Sequence, residues 1–214
     1  MKNFYSKIII LVIILLGCVS LQAQSLMTRK GQYLYAGIEN RIELFPVQSM
    51  EQYNVSFPGC KVEAKDDCYY VTPSESLMDK GVIATIKTKG NAKQESIQQR
   101  FFVKKVPNPH AIWGAGLSLS MTKEEFLENP FLRAAMDEDF PYDIVWKIIT
   151  YKIVLFTDEG MQPAFICEGG QRLSESTAAY IKNKKDIKLI IITDIKARSE
   201  VGERYLKDIV YMIK

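Results

Sequence analysis

The 214-residue chain has few of the residues that most often carry out catalysis. It contains a single histidine, His110, which stands in a proline-rich stretch. A histidine-rich zinc site needs several such ligands, and a serine or cysteine nucleophile needs a histidine base beside it in a cleft. The glycines form no phosphate-binding pattern, because none is followed by the required Lys-Ser or Lys-Thr pair. The sequence therefore predicts a non-enzymatic protein that uses no cofactor.

Acidic residues offer one weaker candidate for a metal site. Four carboxylates lie close together in the chain: Asp137, Glu138, Asp139 and Asp143. Their oxygens are ligands that calcium accepts. Their spacing is not that of the helix–loop–helix calcium loop, so a solvated loop is the preferred interpretation and no metal site is predicted.

The chain also lacks a strong excess of charge of either sign. It has 28 basic and 25 acidic residues, a net charge of +3, and the two signs are interspersed. Proteins that bind nucleic acid normally present a basic face or stripe, so no nucleic-acid partner is predicted. Basic spots at 182–185, Arg198 and Arg204 are interpreted as exposed loop ends, with the rim of a site for an acidic protein as the alternative.

Only one long apolar run is present, Ile8 to Gly17, and it follows Lys2 and Lys7. A helix that spans a bilayer needs about 20 apolar residues, and this run is shorter. A basic start, a short apolar stretch and small residues before a cut describe a secretory signal peptide, here residues 1–24. The protein is therefore predicted to be exported to the periplasm or cell envelope.

The position of the cut is left open between two alternatives. Cleavage after Ala23 leaves a soluble protein that begins at Gln24. The segment LLGC, which ends at Cys18, instead resembles a bacterial lipoprotein box and predicts lipidation of Cys18. A lipid anchor at this residue would be the protein's one contact with the membrane.

Three cysteines remain after this leader: Cys60, Cys68 and Cys167. Cys60 and Cys68 are separated by a short span that a hairpin closes, and an oxidising compartment permits a disulfide between them. Two buried free thiols are the alternative. Cys167 is then left over, and we expect it to be buried and inert.

Residues 25–106 predict a first domain built from short strands separated by turns. The predicted strands are 32–38, 41–47, 53–57, 68–72, 81–89 and 100–106. Apolar and polar residues alternate most clearly where Val82, Ala84 and Ile86 share one face. Glu39 and Asn40 predict a turn. Strands of this length and spacing are typical of an immunoglobulin-like sandwich.

Residues 107–112 form a predicted proline linker, since Pro107 and Pro109 remove backbone donors and stiffen the chain. Residues 113–214 predict a second β-sandwich domain with a short helix. Thr122 and Glu125 form a capping box at the start of a helical stretch, 122–136, which Pro130 interrupts.

Strands of this second domain are predicted at 145–157, 163–167, 187–195 and 205–213, with a small helix at 177–183 capped by Ser176. In the first of them one face is predicted to hold Trp146, Ile148, Val154 and Phe156. The fold class is therefore all-β with one or two short helices, in two tandem immunoglobulin-like β-sandwich domains.

Five segments, in the same order along the chain, resemble the C-terminal domains of the GldM family. They are YLYAGIENRIEL (33–44), RFFVKKVPNP (100–109), WGAGLSLSMTKEEFL (113–127), DFPYDIVWKIITYKI (139–153) and ITDIKARSEVGERYLKDIVYMI (192–213). Together the resemblance covers about residues 28–214. GldM is a periplasmic protein of the gliding motility and type IX secretion apparatus.

The resemblance implies two immunoglobulin-like domains, a homodimer, contact with ring proteins under the outer membrane, and neither catalysis nor a cofactor. The sequence departs from the family because a full-length member keeps a transmembrane helix and further periplasmic domains before these two. The expected function is a structural or adaptor protein of the cell envelope that binds other proteins, with secretion-apparatus components as candidate partners.

A second class of function remains open, a periplasmic or surface protein that binds a ligand such as glycan. Its binding platform would be formed by exposed aromatic rings, for which the candidates are Tyr69, Tyr70 and Trp113. Core packing is the preferred interpretation of these rings.

Overall fold

The computed structural model describes residues 25–28, 31–45, 52–90, 96–116 and 118–214. The chain divides after Lys104 into two compact units. Strands dominate both units, and the described residues include two short α-helices. The predicted fold class, all-β with short helices and sandwich-like sheets, is confirmed. The predicted leader, with its candidate lipidation site Cys18, lies outside the described residues.

The first unit is a sandwich of two four-stranded sheets. Its strands are β1 (Ser25–Thr28), β2 (Tyr33–Tyr35), β3 (Asn40–Phe45), β4 (Tyr53–Ser56), β5 (Cys60–Lys65), β6 (Cys68–Pro73), β7 (Val82–Thr88) and β8 (Ile97–Lys104). One sheet has the order β1-β3-β6-β5 and the other β2-β8-β7-β4. Most neighbours are antiparallel, but β2 runs parallel to β8.

Alternation along the strands produces the core of this unit. Val82, Ala84 and Ile86 of β7 are buried, as the sequence predicted, and they pack in one cluster with Ile42 and Leu44 of β3. Because side chains of a strand point to opposite faces, the residues between them, Ile83 and Thr85, face outward. Each sheet therefore contributes its inner face to a shared core, as in other sandwiches.

The predicted disulfide between Cys60 and Cys68 is wrong, because the β5–β6 hairpin keeps the two residues apart. Cys68 lies opposite Lys65, whereas Cys60 lies opposite Pro73. Five residues of extended strand separate these positions by roughly 17 Å, far beyond the reach of a disulfide. Cys60 packs against the core, while Cys68 receives a 3.1 Å hydrogen bond from Arg41 Nε. All three cysteines of the described residues are free thiols.

The second unit contains one seven-stranded sheet, a two-stranded sheet and both helices. Its elements are β9 (His110–Trp113), β10 (Ser120–Met121), α1 (Lys123–Glu128), β11 (Leu132–Ala135), β12 (Lys147–Thr157), β13 (Gly160–Met161), β14 (Phe165–Glu168), α2 (Glu175–Asn183), β15 (Ile187–Ser199), β16 (Gly202–Tyr205) and β17 (Ile209–Ile213). The main path of the large sheet is β10-β17-β15-β12-β13, with β14 paired to β12 and β16 to β15.

One face of the large sheet is covered by the helices and the β9–β11 pair. Trp113 of β9 stacks on Phe126 of α1, with ring centroids 4.6 Å apart, and its indole nitrogen donates a hydrogen bond to the Phe126 carbonyl. The same two rings contact Tyr151 of β12 and Tyr211 of β17 edge-on. These aromatic contacts make the centre of the second core.

Local sequence signals fix where the helices begin and end. The capping box of Thr122 and Glu125 is confirmed, and α1 ends before Pro130. The residues after that proline do not continue as a helix, because 132–135 form β11 instead. In α2 the capping residue is Ser174, two positions earlier than predicted, and its hydroxyl accepts a hydrogen bond from the Thr177 amide.

The predicted face of β12 is partly wrong because the strand is irregular near Thr150. Its pairing with β15 shifts register on both sides of this residue. An extra residue in a strand moves every later side chain to the opposite face. Trp146 and Ile148 therefore share the inner face with Tyr151, Ile153 and Leu155, which are all buried. Val154 and Phe156 point outward.

The predicted linker, residues 107–112, overlaps a strand. The two units meet after Lys104, and β9 already begins at His110. Pro107 and Pro109 lie ahead of that strand, and proline is compatible with the start of a strand but not with its paired interior. The last residues of the predicted linker thus belong to the second unit.

Candidate functional site

The outer face of the large sheet in the second unit is covered with apolar side chains. Pairing of β12, β15 and β17 places Phe156, Leu189 and Met212 in one row and Val154, Ile191 and Val210 in the next. Edge strands add Met161 beside Phe156 and Ile166 beside Lys152. We call this set of eight the apolar outer face: Val154, Phe156, Met161, Ile166, Leu189, Ile191, Val210 and Met212.

These residues are accessible to solvent, some of them strongly. Met161 is 69% exposed, Ile166 63% and Met212 56%. Val154 and Phe156 are half-buried by their own neighbours on the sheet. Both helices and the β9–β11 pair lie on the opposite, inner face. The strands of this sheet are thus apolar on both faces, although the described elements of the unit cover only one.

An exposed apolar surface of this continuity is unusual for a folded domain. Single exposed apolar residues are common, but contiguous patches mark sites where another molecule binds. A sheet that faces water normally alternates apolar and polar residues, and this one does not. The arrangement can therefore bind a partner by burying apolar area, without any chemical step.

Charged residues border the other end of the same sheet. Arg198 and Lys196 both bind the Glu203 carboxylate, with Arg198 Nε 2.8 Å from it. The hydrogen bonds from Lys196 and then Arg198 lower the pKa of Glu203. Beside them, Val145 and Ile149 line a shallow cleft of about 390 Å³. A polar rim next to an apolar surface is the usual composition of a protein interface.

The single histidine is hydrogen-bonded to an aspartate, and no serine, threonine or cysteine nucleophile lines the cleft beside it. His110 Nε2 lies 2.7 Å from the Asp137 carboxylate, and both side chains are largely exposed. The two residues line an open cleft of about 500 Å³, and no serine, threonine or cysteine is among the residues that line it. A nucleophile with a histidine base needs such a hydroxyl or thiol within hydrogen-bond distance. The pair is therefore best described as an exposed hydrogen-bonded pair at the start of β9.

The acidic cluster does not assemble a metal site. Asp137 is engaged by His110. Among the residues that the structure describes, no three or more His, Cys, Asp or Glu side chains are grouped so that they could hold a metal ion. In the same part of the chain, no helix is long and apolar enough to cross a membrane.

The aromatic residues considered for a glycan platform do not form one. Tyr69 is buried in the core of the first unit and Trp113 in the core of the second. Tyr70 is only half-buried, but a single ring makes no platform. Core packing explains both buried rings, since their surroundings are apolar and the Trp113 indole nitrogen already has a partner.

Several side chains of the predicted basic spots make local contacts. Lys184 Nζ lies 3.2 Å from the Glu159 carboxylate, and Arg204 donates a hydrogen bond to the Glu203 carbonyl. Sequence reasoning therefore identified charged positions but missed the apolar outer face. The available signal was the run IKLIIITDI, 187–195, which is apolar at adjacent positions and so has two apolar faces.

Comparisons with known proteins do not assign this chain to a family. No family model matches it, and no curated protein matches it. Among solved structures, the fibronectin(III)-like modules of Clostridium thermocellum CbhA align over 89% of this chain and 94% of theirs, at 10% identity and a TM-score of 0.26. InvD of Yersinia pseudotuberculosis aligns over 92% of this chain and 70% of its own, at 9% identity and a TM-score of 0.25.

Proposed function

We propose that the protein is a non-catalytic adaptor that binds other proteins through the apolar outer face of its second unit. The observation that carries the proposal is the contiguous apolar surface formed by β12, β15 and β17 on the uncovered side of the sheet. Burial of apolar area is the dominant favourable term in most protein associations. The rigid, hydrogen-bonded sheet holds these side chains in place, so that binding costs little ordering of the backbone.

The proposed location and partners follow from the sequence. The leader at 1–24 supports export, and the five segments that resemble GldM support a place in the cell envelope beside type IX secretion or gliding components. We further propose that the chain forms a homodimer, as that resemblance implies.

The test is a comparison of two tagged proteins in pull-downs from gently solubilised envelopes. One carries the natural sequence and the other carries Ile166→Lys with Met212→Lys, two changes on the apolar outer face. Both residues are exposed, so the changes place charge on the surface without opening the core. We expect mass spectrometry to show secretion-apparatus ring proteins with the natural chain and at least a several-fold loss with the variant.

The matched control is Met27→Lys, which changes an exposed residue of the first unit. Circular dichroism and thermal unfolding establish that all three proteins are folded. Equal recovery of the same partners by all three would contradict binding through this face. Sedimentation of the purified chain tests the homodimer, and a monomer at all concentrations would contradict that part.

Export has its own test, the mass of the mature protein isolated from its native cells. A mature protein that begins at Gln24 would be soluble, whereas one that begins at a lipid-modified Cys18 would be anchored to the membrane. A product that still begins at Met1 would contradict the proposed signal peptide.

A further inference from the structure

A second exposed surface, in the first unit, combines aromatic rings with cations. It lies on the outer face of the β2-β8-β7-β4 sheet and consists of Tyr33, Ile83, Arg100, Phe102 and Lys104, which we call the cation–aromatic face. Tyr33 of β2 lies beside Phe102 of β8, with ring centroids 5.9 Å apart. Ile83 of β7 lies opposite Arg100 and is 51% exposed.

The rings hold the cations in place. Lys104 Nζ lies 3.6 Å from the centroid of the Tyr33 ring, and the Arg100 guanidinium carbon lies 5.5 Å from that of Phe102. A cation over an aromatic face is attracted by the ring's negative face and remains available to an anion on its other side. The arrangement therefore presents two oriented positive charges about an apolar centre.

Among the described residues of its four strands, none places a carboxylate on this face to neutralise them. The outward residues on its four strands include a third cation, Lys87, and polar residues, but no aspartate or glutamate. The opposite sheet of the same sandwich differs, because there Arg41 pairs with Glu43 and Lys61 with Glu63. The excess of positive charge is thus a property of one face and not of the unit as a whole.

The spacing of the charges suits an extended polypeptide. Arg100, Phe102 and Lys104 occupy every second position of one strand, so successive side chains lie about 6.8 Å apart. An extended peptide repeats its side chains at the same interval. An acidic, an apolar and an acidic residue at alternate positions would then meet Arg100, Phe102 and Lys104 in turn.

The same rings are poorly placed for a nucleic acid or a sugar. Bases bind to single-stranded nucleic-acid sites by stacking on free aromatic faces. Here the Lys104 ammonium lies on the Tyr33 ring, and Tyr33 as a whole is 38% exposed. The aromatic surface is used to orient cations, which favours a ligand that is recognised by its carboxylates.

We propose that the cation–aromatic face binds an extended acidic segment of a partner protein, with an acidic–x–apolar–x–acidic pattern. This site lies in the first unit and does not depend on the apolar outer face of the second. The attraction between this face and the acidic segment is electrostatic, so it affects mainly the rate and specificity of association. It weakens as the salt concentration rises.

Fluorescence anisotropy of the full mature chain with a labelled peptide tests the proposal. The peptide carries Glu, Leu and Glu at every second position, separated by serines, and its matched control has Gln in place of both Glu residues. We expect saturable binding of the acidic peptide with a Kd below about 1 mM. This Kd should rise several-fold when the salt concentration is raised from about 0.05 to about 0.3 M. Arg100→Gln with Lys104→Gln should raise its Kd by about five- to tenfold.

The control variant is Lys61→Gln with Lys65→Gln, which removes two exposed charges from the other sheet of the same unit. Its Kd should stay within about twofold of that of the natural chain. Thermal unfolding shows whether each variant is folded. Equal binding of the Gln peptide, equal weakening by both double variants, or no binding at all would overturn the proposal. So would tighter binding of a sulfated glycan or a single-stranded oligonucleotide that the Arg100 and Lys104 changes abolish.

Discussion

Asn40 is a fully buried polar residue at the start of β3. Its side-chain oxygen accepts a 2.7 Å hydrogen bond from the Tyr35 amide, and its side-chain nitrogen, which has two hydrogens to donate, lies within 3.1 Å of the carbonyl oxygens of Tyr35, Ile38 and Val71. The residue thus joins the end of β2 to β3 and β6. Since buried backbone groups need partners, this one side chain satisfies several at once.

Replacement Asn40→Ala should therefore lower the free energy of unfolding by about 3 kcal/mol, because it leaves several buried backbone groups without partners. Urea unfolding of the full chain measures the effect. The matched control is Asn54→Ala on the exposed side of β4, which should change stability by less than about 0.5 kcal/mol. Similar losses in the two variants would show that Asn40 does not join the strands in this way.

Buried tyrosines make the stability of the protein depend on alkaline pH. Burial raises the pKa of Tyr69, Tyr151 and Tyr211 above the ordinary value. The strongest case is Tyr151, whose hydroxyl is buried near the Cys167 thiol and has no hydrogen-bond partner among the described residues. The folded state therefore keeps these phenols neutral at a pH where the unfolded chain already ionises them.

These groups should leave the free energy of unfolding unchanged while the pH is below the ordinary tyrosine pKa of about 10. Above it, the unfolded chain loses phenol protons that the folded chain keeps, so the free energy of unfolding should fall as the pH rises through the raised pKa values. Each tyrosine contributes a slope of up to about 1.4 kcal/mol per pH unit in that window. Tyr151→Phe should flatten the decline, as measured by urea unfolding between about pH 9 and 11. The control Tyr205→Phe removes a hydroxyl from an exposed ring and keeps all three buried phenols, so the decline that they cause should remain. An unchanged slope in Tyr151→Phe would contradict the assignment.

At the scale of elements, the turn before β7 depends on a close approach of two backbones. Gly81 has a φ of +75°, and a Cβ at this position would lie 2.5 Å from the Phe101 carbonyl oxygen of the neighbouring strand. Glycine is the residue that adopts such a conformation without strain. The missing side chain allows β7 to pair with β8 from its first residue, Val82, which lies opposite Phe101.

Gly81→Ala should destabilise the chain by about 3 kcal/mol or more, because the strand must shift as well as accept a strained φ. Gly37→Ala provides the comparison. Its φ is +78°, but a Cβ there meets no atom of the described residues within 4 Å, so only the conformational cost of about 1 kcal/mol is expected. Thermal unfolding of both variants decides the matter, and equal losses would mean that the contact with Phe101 is unimportant.

At the scale of the whole molecule, each unit has a core of its own. The first core joins two sheets, and the second is built where Trp113 and Phe126 pack against the large sheet. We therefore expect residues 105–214 to fold when produced alone, since a domain with an independent core does not need its neighbour. Circular dichroism with urea unfolding should show a cooperative transition. A fragment without one would show that the second unit relies on the first.

Much of the fold was predictable because local rules act over a few residues. Alternation placed Val82, Ala84 and Ile86 in the core, and the Thr122 capping box marked the start of α1. Asn40 was harder, since a Glu–Asn pair is typical of an exposed turn, and only its contacts with distant backbone groups make it a buried residue. The capping serine of α2 was displaced for a similar reason, because Ser174 and Ser176 are chemically equivalent candidates.

The sequence by itself determined that this chain is built of β-strands with short helices, that it holds one histidine, and that one short apolar run follows Lys2 and Lys7. Those conclusions depend on composition and local periodicity. Only the tertiary structure decided that Cys60 and Cys68 are apart, that the register shift near Thr150 turns Val154 outward, and that the described elements of the second unit cover only one apolar face of the large sheet. An apolar residue has the same hydrophobicity on either face of a strand, and which face is covered depends on elements that are distant in the chain.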